Sequence, residues 1–189
     1  PGEGKTVISI CLARMLAKGG HSVIFLDLDL RKPSIAKNLN LKEEPGISNI
    51  LTGQTAFEDA LQEDKISGVH IVTAGTFFYD PPDLINNKNM DKLLDLLDKK
   101  YEYIIMDSPP VLAVSDPRLL ARKSDITLFA VKWAETHREV VIQGIKLIQK
   151  SQGRLPGVVL SQVDVKKHAK YGYGDSGYYY GRAKKYYTD

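Results

Sequence analysis

The six residues that open the chain, PGEGKT, constrain it more than any other stretch. They match the closing half of the phosphate-binding signature G-x-x-x-x-G-K-[ST]. In that loop backbone N–H groups wrap the phosphates, the lysine reaches the β/γ oxygens and the hydroxyl ligates Mg2+. Gly4, Lys5 and Thr6 fill the last three places. The first glycine of the signature belongs ahead of Pro1, and so does the strand that feeds such a loop. The chain is therefore expected to be a fragment. A short G-K-T also occurs at ordinary turns and helix starts, so the residues that follow must carry the reading.

They point to an alternating α/β chain. Val7 to Lys18 places Val7, Ile8, Cys11, Leu12, Met15 and Leu16 at helical spacing, and Gly19-Gly20 ends the run. A helix opening directly on GKT offers its N-terminal N–H groups and dipole to an anion. Val23 to Leu26 is a short apolar run of the kind found in buried parallel strands, and it delivers Asp27 and Asp29 beyond its C-terminal end. Ligands of open α/β sheets bind beyond the C-terminal strand ends. Separated by one residue, the two acids would share a face of an extended chain, where they can hold Mg2+ through water and accept a proton.

Further along, Ile47 to Leu51 reads as a short helix, Val69 to Thr73 as a strand, and Phe77 to Asn89 as a loop broken by Pro81-Pro82. Asn89 is expected to cap a helix striped by Met90, Leu93, Leu94 and Leu97. YIIMDSPP is a second apolar strand that ends on an acid, Asp107, and resembles a Walker B element. Asp116 to Lys123 reads as a helix and Ile126 to Val131 as a strand. Thr136 with Glu139 reads as a capping box, and Gly157 to Gln162 as the last strand. Strands and helices alternate, which predicts a mostly parallel sheet with helices on both faces. Its N-terminal strand is expected to be missing, leaving two open edges.

Composition narrows the classes. The 43% hydrophobic and 26% charged content of 189 residues suits one globular domain, and no apolar run approaches the roughly 18 residues of a membrane span. Cys11 is the single cysteine, which rules out an internal disulfide and is expected to be a buried apolar residue of the first helix. The four histidines His21, His70, His137 and His168 lack metal-site spacing, so no zinc is expected, and His70 is expected to be structural. Trp133 is expected to pack beside a loop.

Beyond Val165 the pattern breaks. Residues 1–165 are expected to form the domain and 166–189 a flexible tail. The tail carries six Lys and Arg against two acids, while the whole chain has a net charge of only +3. Seven of the ten tyrosines fall in the last 19 residues, interleaved with glycine and cations and with no aliphatic residue to build a core. Stacking on single-stranded nucleic acid would accept Phe or Trp as readily. The use of Tyr alone implies that the phenolic hydroxyl is chemically used.

Taken in order, these motifs resemble the bacterial tyrosine kinases of capsule and exopolysaccharide export, P-loop proteins unrelated in fold to eukaryotic protein kinases. PGEGKT stands where that family has Walker A, VIFLDLDLRKP where it has Walker A′, YIIMDSPPV where it has Walker B, and the terminal tyrosine cluster is the family's hallmark. The resemblance implies an ATP- and Mg2+-dependent kinase that autophosphorylates tyrosine between neighbouring subunits. Gly2, Glu3, Gly4, Lys5, Thr6 and Val7 would bind nucleotide. Lys5 would neutralise the β/γ-phosphates, Thr6 and Asp107 would hold Mg2+, and Asp27 and Asp29 would divide metal-shell contacts and the proton-accepting base between them. The acceptors would be Tyr171, Tyr173, Tyr178, Tyr179, Tyr180, Tyr186 and Tyr187.

The same resemblance implies a ring-like homo-oligomer at the cytoplasmic face of the bacterial inner membrane. Its partners would be a membrane polysaccharide co-polymerase segment or activator and a tyrosine phosphatase, with no role for nucleic acid. Each phosphotyrosine adds about −1.5 to −2 charges. An unmodified basic tail is therefore expected to dock on its neighbour and to be expelled once phosphorylated. One departure stands out: related ATPases carry L-N-x-x-D after the last strand where this chain has LSQVD, with Ser161 and Gln162, so base recognition there is in question. The rival reading is a partitioning or site-selection switch ATPase, which shares the fold and the Asp positions. The tyrosine tail separates the two.

Overall fold

In the computed structural model residues 2–76 and 80–168 are described. They run α1 (Lys5–Lys18), β1 (Val23–Asp27), α2 (Ile35–Leu39), α3 (Ile47–Leu51), α4 (Phe57–Ala60), β2 (Gln62–Glu63) and β3 (His70–Val72). There follow α5 (Pro81–Ile85), α6 (Lys88–Asp98), β4 (Tyr103–Asp107), α7 (Asp116–Lys123), β5 (Leu128–Lys132), α8 (Arg138–Lys150), β6 (Gly157–Ser161) and α9 (Val165–His168).

Strand β1 organises the molecule because every one of its residues is buried. Successive strand side chains point to opposite faces. Ile24 and Leu26 therefore join one core with Leu51 of α3 and Met90, Leu93 and Leu97 of α6, while Val23 and Phe25 join another with Ile10 and Ala13 of α1. Helices thus cover both faces, as the alternation predicts. The sheet order is β2-β3-β1-β4, with β1 parallel to β3 and β4 and only the edge strand β2 antiparallel.

Strands β5 and β6 form a separate parallel pair. A groove of about 1100 Å³ lies between this pair and β4, lined by Ile8, Ile104, Met106, Phe129 and Val159 among others. Among the described residues β4 pairs only with β1 and β5 only with β6, so both flanks of the groove are open strand edges.

Helix α3 is seated on the exit of β3. Ile47 N and Ser48 N donate to the carbonyls of Thr73 and Ala74, and Asn49 Oδ1 accepts from Gly46 N at 3.0 Å and from Thr76 N at 3.3 Å. This seat needs Gly46, because a Cβ there would overlap Gly75 N and the carbonyl of Thr73. Gly75 itself has φ +82°.

The structure corrects several expectations. Val7 and Met15 are 65% and 62% exposed and Cys11 is exposed, because α1 turns Ile10 and Ala13 onto the sheet instead. The stretch after Asp80 is helical: Pro81 occupies the first turn of α5, where a missing N–H costs nothing. Asn87, not Asn89, caps α6 by accepting from Asn89 N and Met90 N. Helix α8 starts at Arg138 with no side-chain cap, since Thr136 donates its hydroxyl to Glu3 Oε2 at 2.9 Å. His70 is structural as expected, its Nδ1 2.7 Å from the hydroxyl of Tyr101.

Candidate active site

The phosphate-loop residues lead straight into α1. Gly2 and Gly4 both take positive φ, +85° and +74°, and Gly4 is the N-cap of the helix. Glycine adopts that backbone at no steric cost, and the turn points successive N–H groups toward one side. Lys5 and Thr6 begin the first helical turn, where the orphan N–H groups favour an anion. Val7 follows on the same turn with its side chain exposed.

The loop is fastened from behind by the ends of β5 and β6. Glu3 Oε2 accepts from Lys132 N at 2.5 Å as well as from Thr136 Oγ1. Ser161 Oγ donates to the carbonyl of Glu3 at 2.7 Å and Gln162 Nε2 to that of Gly2 at 2.8 Å. The residues that depart from L-N-x-x-D therefore hold the loop backbone. The carboxylate of Glu3, one of the expected nucleotide-binding residues, is engaged with these protein groups.

In front of the loop stand the carboxylates. Asp27 and Asp107 are the last residues of β1 and β4, adjacent in parallel register. Asp107 is 4% exposed; its Oδ2 accepts from Thr6 Oγ1 at 2.6 Å and its Oδ1 from Ser9 Oγ at 3.0 Å. Burial pushes its carboxyl above the ordinary range, against those two hydrogen bonds and the charge of Lys5, which favour ionisation. Asp27 is 1% exposed, and burial, with the negative charge of Asp107 and Asp29 adding to it, moves it up to about 7. The N–H groups of Ile35 and Asp29, each 3.3 Å from a carboxylate oxygen of Asp27, pull the other way.

Asp29 does not continue the strand. The strand β1 ends at Asp27 and the chain turns, so the two acids meet through the turn and not along one extended face. Asp29 Oδ1 accepts from Lys32 N at 3.0 Å. Two residues on, Arg31 forks onto Asp116, Nε to Oδ2 at 2.9 Å and Nη2 to Oδ1 at 3.1 Å, tying this turn to the start of α7. Asp116 is fully buried.

Lys5, Thr6, Asp27, Asp29 and Asp107 are thus brought to one corner at the C-terminal strand ends. Ser9 and the Arg31–Asp116 pair carry no assignment from the sequence, and Thr136, read as a helix cap, is drawn to Glu3. Ser9 had a signal, its place four residues after Lys5 on one helix face. The seven expected acceptor tyrosines lie outside the described residues.

The donor set fits Mg2+: a hydroxyl and carboxylates, all hard oxygens, with two of the carboxylates on adjacent strand ends. Among the described residues no three His, Cys, Asp or Glu side chains converge on a metal cage. Mg2+ requires none, because it keeps waters and binds through one or two carboxylates plus phosphate oxygens.

Comparison with known proteins agrees with this geometry. The AAA-domain family profile matches residues 1–156. The kinase domain of VpsO superposes with a TM-score of 0.82 at 35% identity, over 87% of this chain and 81% of that one. The chain belongs to the bacterial tyrosine-kinase domains of the P-loop fold.

EpsB of Ralstonia solanacearum, named a tyrosine-protein kinase, is 30% identical over 182 residues, and the tyrosine-protein kinase CpsD of Streptococcus pneumoniae is 28% identical over 181. This chain spans 24% of the length of EpsB and 80% of that of CpsD. More distant structures share the fold alone. These include the cell-division ATPase MinD of Pyrococcus furiosus, at 19% identity and a TM-score of 0.70. Another is a cobyrinic acid a,c-diamide synthase of Mycobacterium smegmatis with an ATP analogue and magnesium, at 19% and 0.71.

Proposed function

We infer that this chain is the catalytic domain of an ATP-dependent protein-tyrosine kinase that phosphorylates the C-terminal tyrosines of a neighbouring copy. The observation that carries the reading is the placement of Asp27 and Asp107 side by side, with Thr6 bonded to Asp107 at the mouth of the phosphate loop. The named tyrosine kinases at about 30% identity support it.

In this reading the loop N–H groups and Lys5 would bind the β/γ-phosphates, and the oxygens of Thr6 and Asp107, with Asp27 or Asp29, would hold Mg2+. The metal ion, when bound, neutralises phosphate charge. The phenolic oxygen of a tail tyrosine attacks the γ-phosphorus as the bond to the β,γ-bridging oxygen breaks, leaving ADP. The phenolic proton passes to the Asp27–Asp29 pair. Asp27, ionising near 7, suits an acceptor that must be partly unprotonated at neutral pH. Such transfer asks mainly for positioning and charge neutralisation, which this corner supplies.

The tail, 166–189, is the proposed substrate and switch. Its cations favour docking on an adjacent protomer, and phosphorylation reverses their charge and releases it, so a ring-like assembly cycles with modification state. A membrane polysaccharide co-polymerase would activate the domain at the cytoplasmic face of the inner membrane, and a tyrosine phosphatase would reset it. The output would be control of capsule or exopolysaccharide polymerisation and export. No described helix is long and apolar enough to cross a membrane.

Incubation of the full-length protein with Mg-ATP tests the reading by intact mass. Several added phosphates that map to Tyr171 through Tyr187 are expected. ATP hydrolysis without phosphotyrosine, even with the membrane activator present, would instead identify a switch ATPase.

A further inference from the structure

We propose that Ser9 is a positioning residue for phosphoryl transfer, holding the Asp107 carboxylate at the rotation in which it faces the metal ion. The proposal rests on the kinase reading of the site, and it concerns a residue that none of the phosphate-binding motifs includes.

Asp107 offers two carboxylate oxygens, and a single helix takes both. Thr6 Oγ1 lies 2.6 Å from Oδ2 and Ser9 Oγ 3.0 Å from Oδ1. A hydroxyl has one proton to donate and two lone pairs. Thr6 therefore keeps its bond to Asp107 while offering a lone pair to a metal ion. One anchor leaves a carboxylate free to rotate about its last torsion, which has broad, shallow minima. The second anchor, from Ser9, fixes it.

The hydroxyl of Ser9 has other acceptors within reach, the carbonyls of Lys5 at 3.0 Å and Thr6 at 3.1 Å. Back-bonding of that kind is what serine does in an ordinary helix interior. Here the carboxylate is the stronger acceptor, because a charged partner makes a shorter and stronger bond than a neutral carbonyl that already serves the helix. Its position adds to this: Ser9 lines the same groove as Lys5 and Asp107, one helical turn beyond the lysine. Serine is also a poorer helix former than alanine, so the helix itself gives no reason for it. Residues that orient a metal-facing carboxylate from behind contribute to metal affinity without touching the ion.

The test uses the full-length protein with Ser9→Ala and Ser9→Thr beside the natural sequence. Mg2+ is titrated against binding of a fluorescent ATP analogue, binding is repeated in EDTA, and thermal unfolding is followed without metal. Ser9→Ala is expected to need about tenfold more Mg2+ for half-saturation. It should bind the metal-free analogue like the natural protein. Ser9→Thr, which keeps the hydroxyl, is expected to restore the natural Mg2+ requirement. A Mg2+ requirement in Ser9→Ala within about twofold of the natural one, well short of the expected effect, would overturn the proposal. An equal loss of binding in EDTA would overturn it too, since that assigns Ser9 to packing. Intact mass of the same samples separates the two questions: Mg2+-dependent binding without phosphotyrosine sinks the kinase reading and leaves the Ser9 comparison intact.

Discussion

Asp27 and Asp107 are register partners across β1 and β4, each the last residue of its strand and each almost fully buried. Burial is the chief cause that raises both carboxyls, and at Asp27 the negative charge of Asp107 adds to it.

A pH dependence follows for the metal-free protein. The carboxyl of Asp27 is raised from 3.8 to about 7 on folding, so between these values the folded state binds more protons than the unfolded one. Stability is then present at low pH and lost as pH rises through 7, by up to about 4 kcal/mol. Urea unfolding in EDTA should show lower stability at pH 7.5 than at pH 5.5. Asp27→Asn should flatten the difference, and Mg-ATP should restore stability at the higher pH.

The fork of Arg31 onto Asp116 joins the turn after β1 to the start of α7. Arg31→Met leaves a fully buried carboxylate without its partner. The expected cost is about 3 kcal/mol, at the low end for a buried pair because the Arg31 side chain is 37% exposed. Chemical denaturation measures it. The double variant Arg31→Met with Asp116→Leu should recover much of the loss.

At Gly46 the limit is steric. A methyl group there meets the backbone of Thr73 and Gly75, which cannot move without breaking the seat of α3. Gly46→Ala is expected to destabilise by about 1 to 3 kcal/mol, read as a lowered unfolding midpoint. Gly20→Ala is the control. No atom crowds that position, so any cost there comes only from its φ of +90°.

The sequence made the strands and the acidic strand ends legible because buried parallel strands read as continuous apolar runs, and Asp27 and Asp107 interrupt theirs at the same end. Capping and burial were less legible. Thr136 and Glu139 form a good capping box on paper, yet the hydroxyl of Thr136 is drawn to Glu3, 133 positions away in the chain. The apolar spacing of α1 fitted Val7, Cys11 and Met15 as well as Ile10 and Ala13, and only the position of β1 decides which face turns inward. Ser161 and Gln162 read as a departure from a nucleotide motif, whereas their partners are carbonyls at the far end of the chain. The misses at Thr136, Ser161 and Gln162 are contacts between distant segments, which local pattern does not encode.

The most direct test of the central claim mixes two full-length variants with Mg-ATP. One carries Lys5→Met and an intact tail. The other keeps Lys5 and has Phe in place of the seven tail tyrosines. Phosphate on the tail of the Lys5→Met chain, absent when that chain is incubated alone, is the result expected of a kinase acting between copies. ATP turnover by the second variant with no phosphotyrosine on the first would contradict it.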